Sequence, residues 1–471
     1  MKSPFFLSLL CAGLLISSLS PANAAGRKPY GGSLTVPLRH VGGVLDPHQK
    51  AVDRSGRLGA ELAHCRLLRA GANERIEGEL AESWQFKARG KRGTLEVGLR
   101  RGGSFHNEQP ILARHVEHSL KRYKGLGGER WLKDLLREVE VERPDPRTLR
   151  LTVPTRRGGH ATTQRRLLRL LARPELAVVH VNRGRLSGCG PFQPSTRRNV
   201  LQAFNGHPLG RPLLDSIHLK SLTDPKEEEI LYRDGTLDMS FVGNRELVRG
   251  LSANVKAYST LLLLPAPYLR VAGRSKLRHT LYRLMKRQPL SRRIKRHGAA
   301  VIADGIWPRA LSAMGRPPRQ PAGTLNGEIA IAYPKGNEEL RKVAALVRDV
   351  VRQSFNLTNV SSPPVAGLTL REAIDAERPN WDFALVLLHW SAHTPDQAIF
   401  EAKVKLDLQD SLSAKDFFVG ARVRSRASRW HRTLPAIPLL HIERRAHHRE
   451  DLTVAPSVGE PDFSNSWIGG P

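Results

Sequence analysis

The sequence has 471 residues, of which 40% are hydrophobic and 25% charged. That is apolar enough for a sizeable core, excludes a wholly disordered chain, and at this length suggests two or three domains or one large two-lobed unit. The formal net charge of +31 favours anionic partners. No zinc-finger or other nucleic-acid motif accompanies the scattered cations, so a solvated basic surface is the simpler reading. No window reaches the roughly 18 uninterrupted apolar residues of a membrane-spanning helix.

The first 24 residues stand apart. Lys2 is their only charge, Phe5 to Leu19 is apolar, and Ala22-Asn23-Ala24 has the small residues of a cleavage site. This is the layout of a cleavable signal peptide, so a periplasmic mature chain of net charge near 31 − 1 = +30 is expected. Cys11 follows Leu10, too bulky a residue for lipoprotein processing, and the product is expected to be soluble. Cys65 and Cys189 then remain. In an oxidising compartment they allow one disulfide or two separately buried thiols.

Further along, Ser33–Leu38 reads as a short strand, and a helical pattern runs from about Leu58 to Leu68. Ser83–Lys87 and Thr94–Arg100 are strand-like runs joined by a turn-rich stretch, which predicts a hairpin. Ile111, Val116, Leu120 and Tyr123 are spaced for a helix. Val139–Glu142 and Thr148–Val153 alternate like a half-buried hairpin around Pro144-Asp145-Pro146. Helices are expected at Thr163–Ala172 and Lys226–Arg233, and Leu261–Leu264 reads as a buried crossover between lobes.

The second half has a clearer logic. Glu328–Tyr333 is a strand, and Asn337 a helix N-cap followed by Glu338 and Glu339, where the helix dipole favours carboxylates. Leu340, Val343, Leu346, Val347, Val350, Val351 and Phe355 then form one apolar stripe. A return strand ends at Phe383–Leu388, giving a β-α-β unit with parallel strands. Ligands bind beyond the carboxyl ends of such strands, which is where His389, Trp390, Ser391 and His393 fall. Pro317–Pro321 is the best candidate for a linker.

Catalytic patterns are not found. There is no Gly-x-Ser-x-Gly elbow, His-Glu-x-x-His helix, phosphate-binding glycine loop or Cys-x-x-Cys pair. His115 with His118, His447 with His448, and His389 with His393 are weak metal candidates. The first pair reads as surface histidines, the second sits among arginines that would oppose a cation, and a strand end does not hold the third pair on one face. No cofactor and no metal are expected.

Several stretches, in order, carry a family likeness. They are Gly31–Val36 with Leu45-Asp46-Pro47-His48; Gly78-Glu79-Leu80-Ala81-Glu82-Ser83-Trp84; Phe105-His106; and Ala113 to Arg122. Gly188-Cys189-Gly190-Pro191-Phe192, Gly235-Thr236-Leu237-Asp238, Trp381-Asp382-Phe383 through Trp390, Leu434–Leu439 and Asp462-Phe463-Ser464 follow. Over roughly residues 31 to 467 this series resembles the family 5 extracellular solute-binding proteins, the periplasmic peptide- and nickel-binding components of ABC importers.

The resemblance implies a non-enzymatic, two-lobed α/β fold of the type II periplasmic-binding-protein kind, with mixed sheets and a hinge between lobes. It implies a signal peptide at 1–24, lobe 1 at 25–265 with an inserted subdomain at about 55–180, lobe 2 at 266–440, and a return to lobe 1 at 441–471. A monomer would capture a small ligand, oligopeptide-like or another solute including an anionic one, and deliver it to an ABC permease. No nucleic-acid partner is expected, and the charge is compatible with peripheral contact at a membrane surface. The implied ligand-binding residues are Asp53, Arg54, Phe241, His389, Trp390, Ser391 and His393, with Trp390 as a stacking wall. The sequence departs from the pattern where Asn107-Glu108 replaces Asp-Gly, in the stretch Tyr268 to Arg287, and at His393, where peptide-binding relatives carry an aspartate for the peptide's ammonium group. An imidazole cannot take that role. An envelope sensor that kept the fold without transport is the alternative.

Overall fold

The computed structural model describes residues 29–38, 46–50, 54–71, 75–126, 128–222, 224–241, 251–270, 272–285, 300–308, 321–391, 394–408, 412–420, 423–455 and 461–469. The signal segment 1–24, Asp53, the basic cluster Arg292–Arg296, His393 and the stretch 317–320 lie outside these residues. Among the described residues no helix is long and apolar enough to cross a membrane.

Lobe 1 is built on the strand Ser33–Leu38, which pairs in parallel with Ser216–Ser221. Val200–Ala203 and Phe192–Pro194 continue that sheet antiparallel. Leu34, Val36, Leu58, Leu62, Phe192, Ile217 and Phe463 form its core. Asp238 ties the base together. It accepts from the Thr35 amide at 2.6 Å and from Arg449 Nη1 at 2.7 Å, which explains the Gly-Thr-Leu-Asp motif.

A second, four-stranded antiparallel sheet runs Ala81–Arg89, Arg92–Leu99, Thr148–Pro154, Glu140–Asp145. Both hairpins expected from alternation are present, with strands that reach further into the turns than the pattern suggests. The helices Ala113–Gly125, Arg130–Arg137 and His160–Leu171 belong to the same subdomain. The Leu-Asp-Pro-His turn is fastened to it. Arg122 donates to both carboxylate oxygens of Asp46, at 2.8 and 2.5 Å, and lies 2.8 Å from His48 Nδ1. His48 is buried edge-on against Tyr123. Two signature segments far apart in sequence thus prove to be one structural staple.

The Gly188-Cys189-Gly190 motif has a steric cause. A Cβ on Gly188 would lie 1.8 Å from the Ala63 carbonyl oxygen, and one on Gly190 would lie 2.4 Å from the His64 amide nitrogen. Only glycine lets this segment approach the end of helix Arg54–Ala63 so closely. The approach sets Cys189 beside Cys65, and the two form a disulfide with Cα atoms 5.1 Å apart, spanning 124 residues. Closing so long a loop restricts the unfolded chain. Reduction, or a Cys65→Ala/Cys189→Ala variant, is expected to lower stability by roughly 2–5 kcal/mol, read from urea unfolding with and without reductant. Coincident curves would mean that the bridge contributes nothing.

Lobe 2 is organised by a mixed sheet in the order Met239–Ser240, Ile437–His448, Leu251–Pro265, Phe383–His389, Ile329–Pro334, Val360–Ser361. Leu251–Pro265 and Ile437–His448 run antiparallel from Leu251 opposite His448 to Leu263 opposite Ile437. Asn337 caps the helix Glu338–Phe355, its side chain accepting from the Leu340 amide at 3.0 Å. The expected stripe faces inward, with Leu340, Val347 and Val351 buried and Val343, Leu346, Val350 and Phe355 packed at its margins. The topology refines the simple β-α-β reading. This helix returns to the short edge strand Val360–Ser361, while Phe383–His389 follows a second helix, Leu370–Asp375, and pairs on the other side of Ile329–Pro334. Asp382 locks that junction, accepting the Ala330 amide at 2.7 Å on its side chain and the Ala266 amide at 2.8 Å on its carbonyl.

The apolar interior of the inserted subdomain runs without a break into that of lobe 2, whereas the lobe 1 core is separate. The two halves are therefore in closed contact.

Candidate functional site

Burial along Phe383–His389 ends at the last residue: Leu388 is buried and His389 exposed. The change marks the carboxyl end of two parallel strands, where a cavity of about 520 Å³ opens between lobe 2 and the subdomain. Gly128, Glu129 and Arg130 form its subdomain wall, and His389, Lys405 and Arg371 supply polar groups from lobe 2. Leu340, Leu368, Leu387 and Val404 give it apolar surface. An apolar pocket with a few convergent polar groups has the make-up of a small-molecule site.

Lys405 is the keystone. Its Nζ lies 2.7 Å from Glu401, 3.0 Å from Glu129 across the lobe boundary, and 3.0 Å from the His389 carbonyl oxygen. Burial opposes the ammonium charge, but the two carboxylates outweigh it and raise the Lys405 pKa. Burial pushes the Glu129 carboxyl up and the nearby Glu401 charge adds to this, against the pull of Lys405. Burial also acts on Glu401, yet Lys405 and hydrogen bonds from Ser391 hold its carboxyl below the usual range.

The polar network continues behind the cavity. Ser391 donates its amide, at 2.9 Å, and its hydroxyl, at 2.6 Å, to Glu401. Its carbonyl accepts from Arg173 Nη1 at 2.8 Å. Arg173 is wholly buried, paired with Glu175 at 2.6 Å and placed 4.9 Å over the Trp131 ring. Arg166 reaches Asp396 at 2.8 Å, and Thr163 donates to the Phe418 carbonyl at 2.9 Å, so three further contacts hold the subdomain to lobe 2.

Of the residues expected at the site, His389 lines the cavity, with Nδ1 2.8 Å from Ser259 Oγ. Trp390 and Ser391 are instead 4% and 3% exposed. The Trp390 indole donates to Thr260 at 2.8 Å, so in this conformation it packs in the core rather than forming a wall. The physical reason is that strand pairing continues one residue past His389, through the Trp390 amide to the Tyr258 carbonyl. Phe241 sits apart at the lobe 1 end, half-buried against that core. Arg54 begins the helix Arg54–Ala63. Asp53 and His393 lie outside the described residues.

His115, read as a surface histidine, is buried, whereas His118 on the same helix is exposed. His447 and His448 are buried in the strand Ile437–His448. Among the described residues no group of three or more His, Cys, Asp or Glu side chains is arranged to hold a metal ion. Sequence reasoning did not single out Glu129, Arg173, Glu175, Glu401 or Lys405. The available signals were Thr394-Pro395 as a helix start, with Thr394 capping Gln397, and the four-residue spacing of Glu401 and Lys405 on the helix that follows.

Residues 75–254 match the model of the bacterial extracellular solute-binding proteins, family 5 middle region. The fold is similar to that of the oligopeptide-binding protein AppA from Bacillus subtilis, solved with a nonapeptide (TM-score 0.67, 14% identity, covering 94% of this chain and 100% of that one). Residues 75–254 thus carry the middle region of the family 5 solute-binding proteins, and the chain shares the fold of these solved proteins. NikA from Brucella suis, solved with Fe(III)-EDTA, is similar at TM-score 0.69 and 14% identity, over 93% of this chain and 100% of that one. The murein tripeptide binding protein MppA from Escherichia coli is similar at TM-score 0.69 and 12% identity, over 93% and 99%. No curated protein matches the chain. The matched segment takes in the subdomain sheet, Cys189 and the Asp238 clasp, and ends as the long strand Leu251–Pro265 begins.

Proposed function

We propose that the chain is a periplasmic solute-binding protein that captures a small ligand between its lobes and hands it to an ABC permease, without catalysis. The observation that carries this reading is the cavity at the carboxyl ends of Ile329–Pro334 and Phe383–His389, walled on the far side by Gly128–Arg130. Closure around such a site excludes water and strengthens polar contacts within it. Lys405 is balanced by Glu129 and Glu401, Arg371 is paired with Asp375, and Arg130 adds a cation to the lining, which supports a neutral or anionic ligand over a cationic one. His393, in place of a carboxylate, argues against recognition of a free peptide ammonium group.

Mass spectrometry of small molecules released from denatured, freshly purified protein identifies candidates, and thermal-shift titration tests them. A true ligand at 100 times its Kd adds about 2.7 kcal/mol of stability. His389→Ala is expected to weaken that ligand without changing the fold, since its side chain is exposed at the cavity. If no peptide, sugar, metal chelate or organic acid shifts the melting temperature, capture is refuted.

One observation favours the sensor alternative: Trp390 and Ser391 are already satisfied inside a closed, continuous core. A gene neighbourhood lacking ABC permease and ATPase genes would select that reading over import.

A further inference from the structure

A second cavity, larger than the strand-end site, lies elsewhere among the described residues. It has a volume of about 1,040 Å³ and opens between the outer edge of the subdomain and the helix Ala414–Val419 of lobe 2. Its walls are strongly basic. Lys91 stands at the hairpin turn, Arg156 and Arg157 in the turn before helix His160–Leu171, and Lys415 comes from lobe 2. All four are exposed, and among the described residues none forms an ion pair with a carboxylate. Of the acids that line it, Glu140 is already paired with Arg92, leaving Glu138 against the four cations.

Two features beyond charge point the same way. Helix His160–Leu171 begins at this cavity with Gly159 as its N-cap and no side-chain cap, so its first amide hydrogens and dipole are left for another acceptor. His160 lines the cavity, and its Nε2 is buried with no hydrogen-bond partner among the described residues.

We propose that this groove is a second ligand site, distinct from the strand-end cavity, for a small molecule bearing two or more phosphate groups. The volume admits a ligand of sugar-phosphate or nucleotide size. One anionic group sits at Arg156, Arg157 and the helix start, and another reaches Lys415. Such a ligand touches both halves of the molecule and therefore stabilises their closed contact by linkage. The same phosphate chemistry is offered by a soluble phosphate ester and by an anionic lipid headgroup.

The test uses the full mature chain at constant ionic strength, because a net charge near +30 attracts any anion weakly. One arm titrates inorganic tripolyphosphate, and the other titrates phosphatidylcholine vesicles containing cardiolipin, whose headgroup carries two phosphates. Saturable binding is expected in at least one arm, with a raised melting temperature in the tripolyphosphate arm if the ligand is soluble. Arg156→Gln/Arg157→Gln and, separately, Lys415→Gln should each weaken binding, by roughly tenfold per cation removed. Binding to tripolyphosphate alone assigns a soluble ligand, and binding to vesicles alone assigns a headgroup. Absence of saturable binding in both arms overturns the proposal. Binding unchanged in both variants does so too, since it would be the pull of the overall charge. The substituted side chains are exposed, so unliganded melting temperatures should match the parent and separate lost binding from lost fold.

Discussion

Arg173→Leu is expected to cost about 3–5 kcal/mol of folding stability, measured by urea unfolding at neutral pH. The side chain is fully buried, and its guanidinium serves three partners: both oxygens of Glu175, the carbonyl of Ser391 and the face of Trp131. Leucine fills part of the space but leaves the 1%-exposed Glu175 carboxylate without its cation. An uncompensated buried charge is the costly outcome, and the lost pair itself is the smaller part. The double variant Arg173→Leu/Glu175→Leu removes both charges and should recover most of the loss. Because Arg173 belongs to the subdomain and Ser391 to lobe 2, the single variant also loosens the closed contact, seen as a larger radius of gyration in solution scattering. A single variant within 1 kcal/mol of the parent would show that the network is not structural.

The division between what the sequence disclosed and what it concealed follows from the range of each interaction. Leu95, Val97 and Leu99, and then Leu149, Leu151 and Val153, alternate because one face of each strand is buried, so their pairing could be read locally. Asn337 and the stripe from Leu340 to Val351 were legible for the same reason. Ser391 is the opposite case. Its partners are Glu401, ten residues on, and Arg173, 218 residues back, and nothing in either segment tells which of the chain's many charges will be buried together. The apolar run Phe383–Leu388 marked the strand, and His389 opens on the cavity at its end. That run could not show that one further residue of pairing, Trp390 to Tyr258, turns the indole into the core. Asp46, Arg122, Gly190 and Asp238, which carry the family likeness, are each occupied in holding segments of the fold together.

Stability should fall steeply as the pH drops from 6.5 to 4. Burial lowers the pKa of His48, His106 and His115 from the ordinary 6.5 to about 4 in the folded chain. For His48 the bond to the Ala177 carbonyl works against that burial and the Arg122 charge adds to it. For His106 the Gly190 carbonyl opposes and the neighbouring His207 adds. For His115, the charges of Arg114, His180 and His118 all add. Between the two values the unfolded chain takes up these protons and the folded chain does not. Protonation therefore favours unfolding throughout that window, and stability rises with pH until about 6.5, where the unfolded imidazoles also become neutral. A shift of this size corresponds to at most about 3 kcal/mol each for His48 and His106, the two with the deepest surroundings. Asp46 and Glu79, whose carboxyls are held low by Arg122 and Arg66 against the effect of burial, extend the loss below pH 4. The measurement is urea unfolding at steps from pH 7.5 to 4 at constant ionic strength. His106→Gln keeps a group able to meet the Gly190 carbonyl but cannot titrate, so it should flatten part of the slope. A parent profile level across this range would mean that these histidines take up protons as readily in the fold as in the unfolded chain.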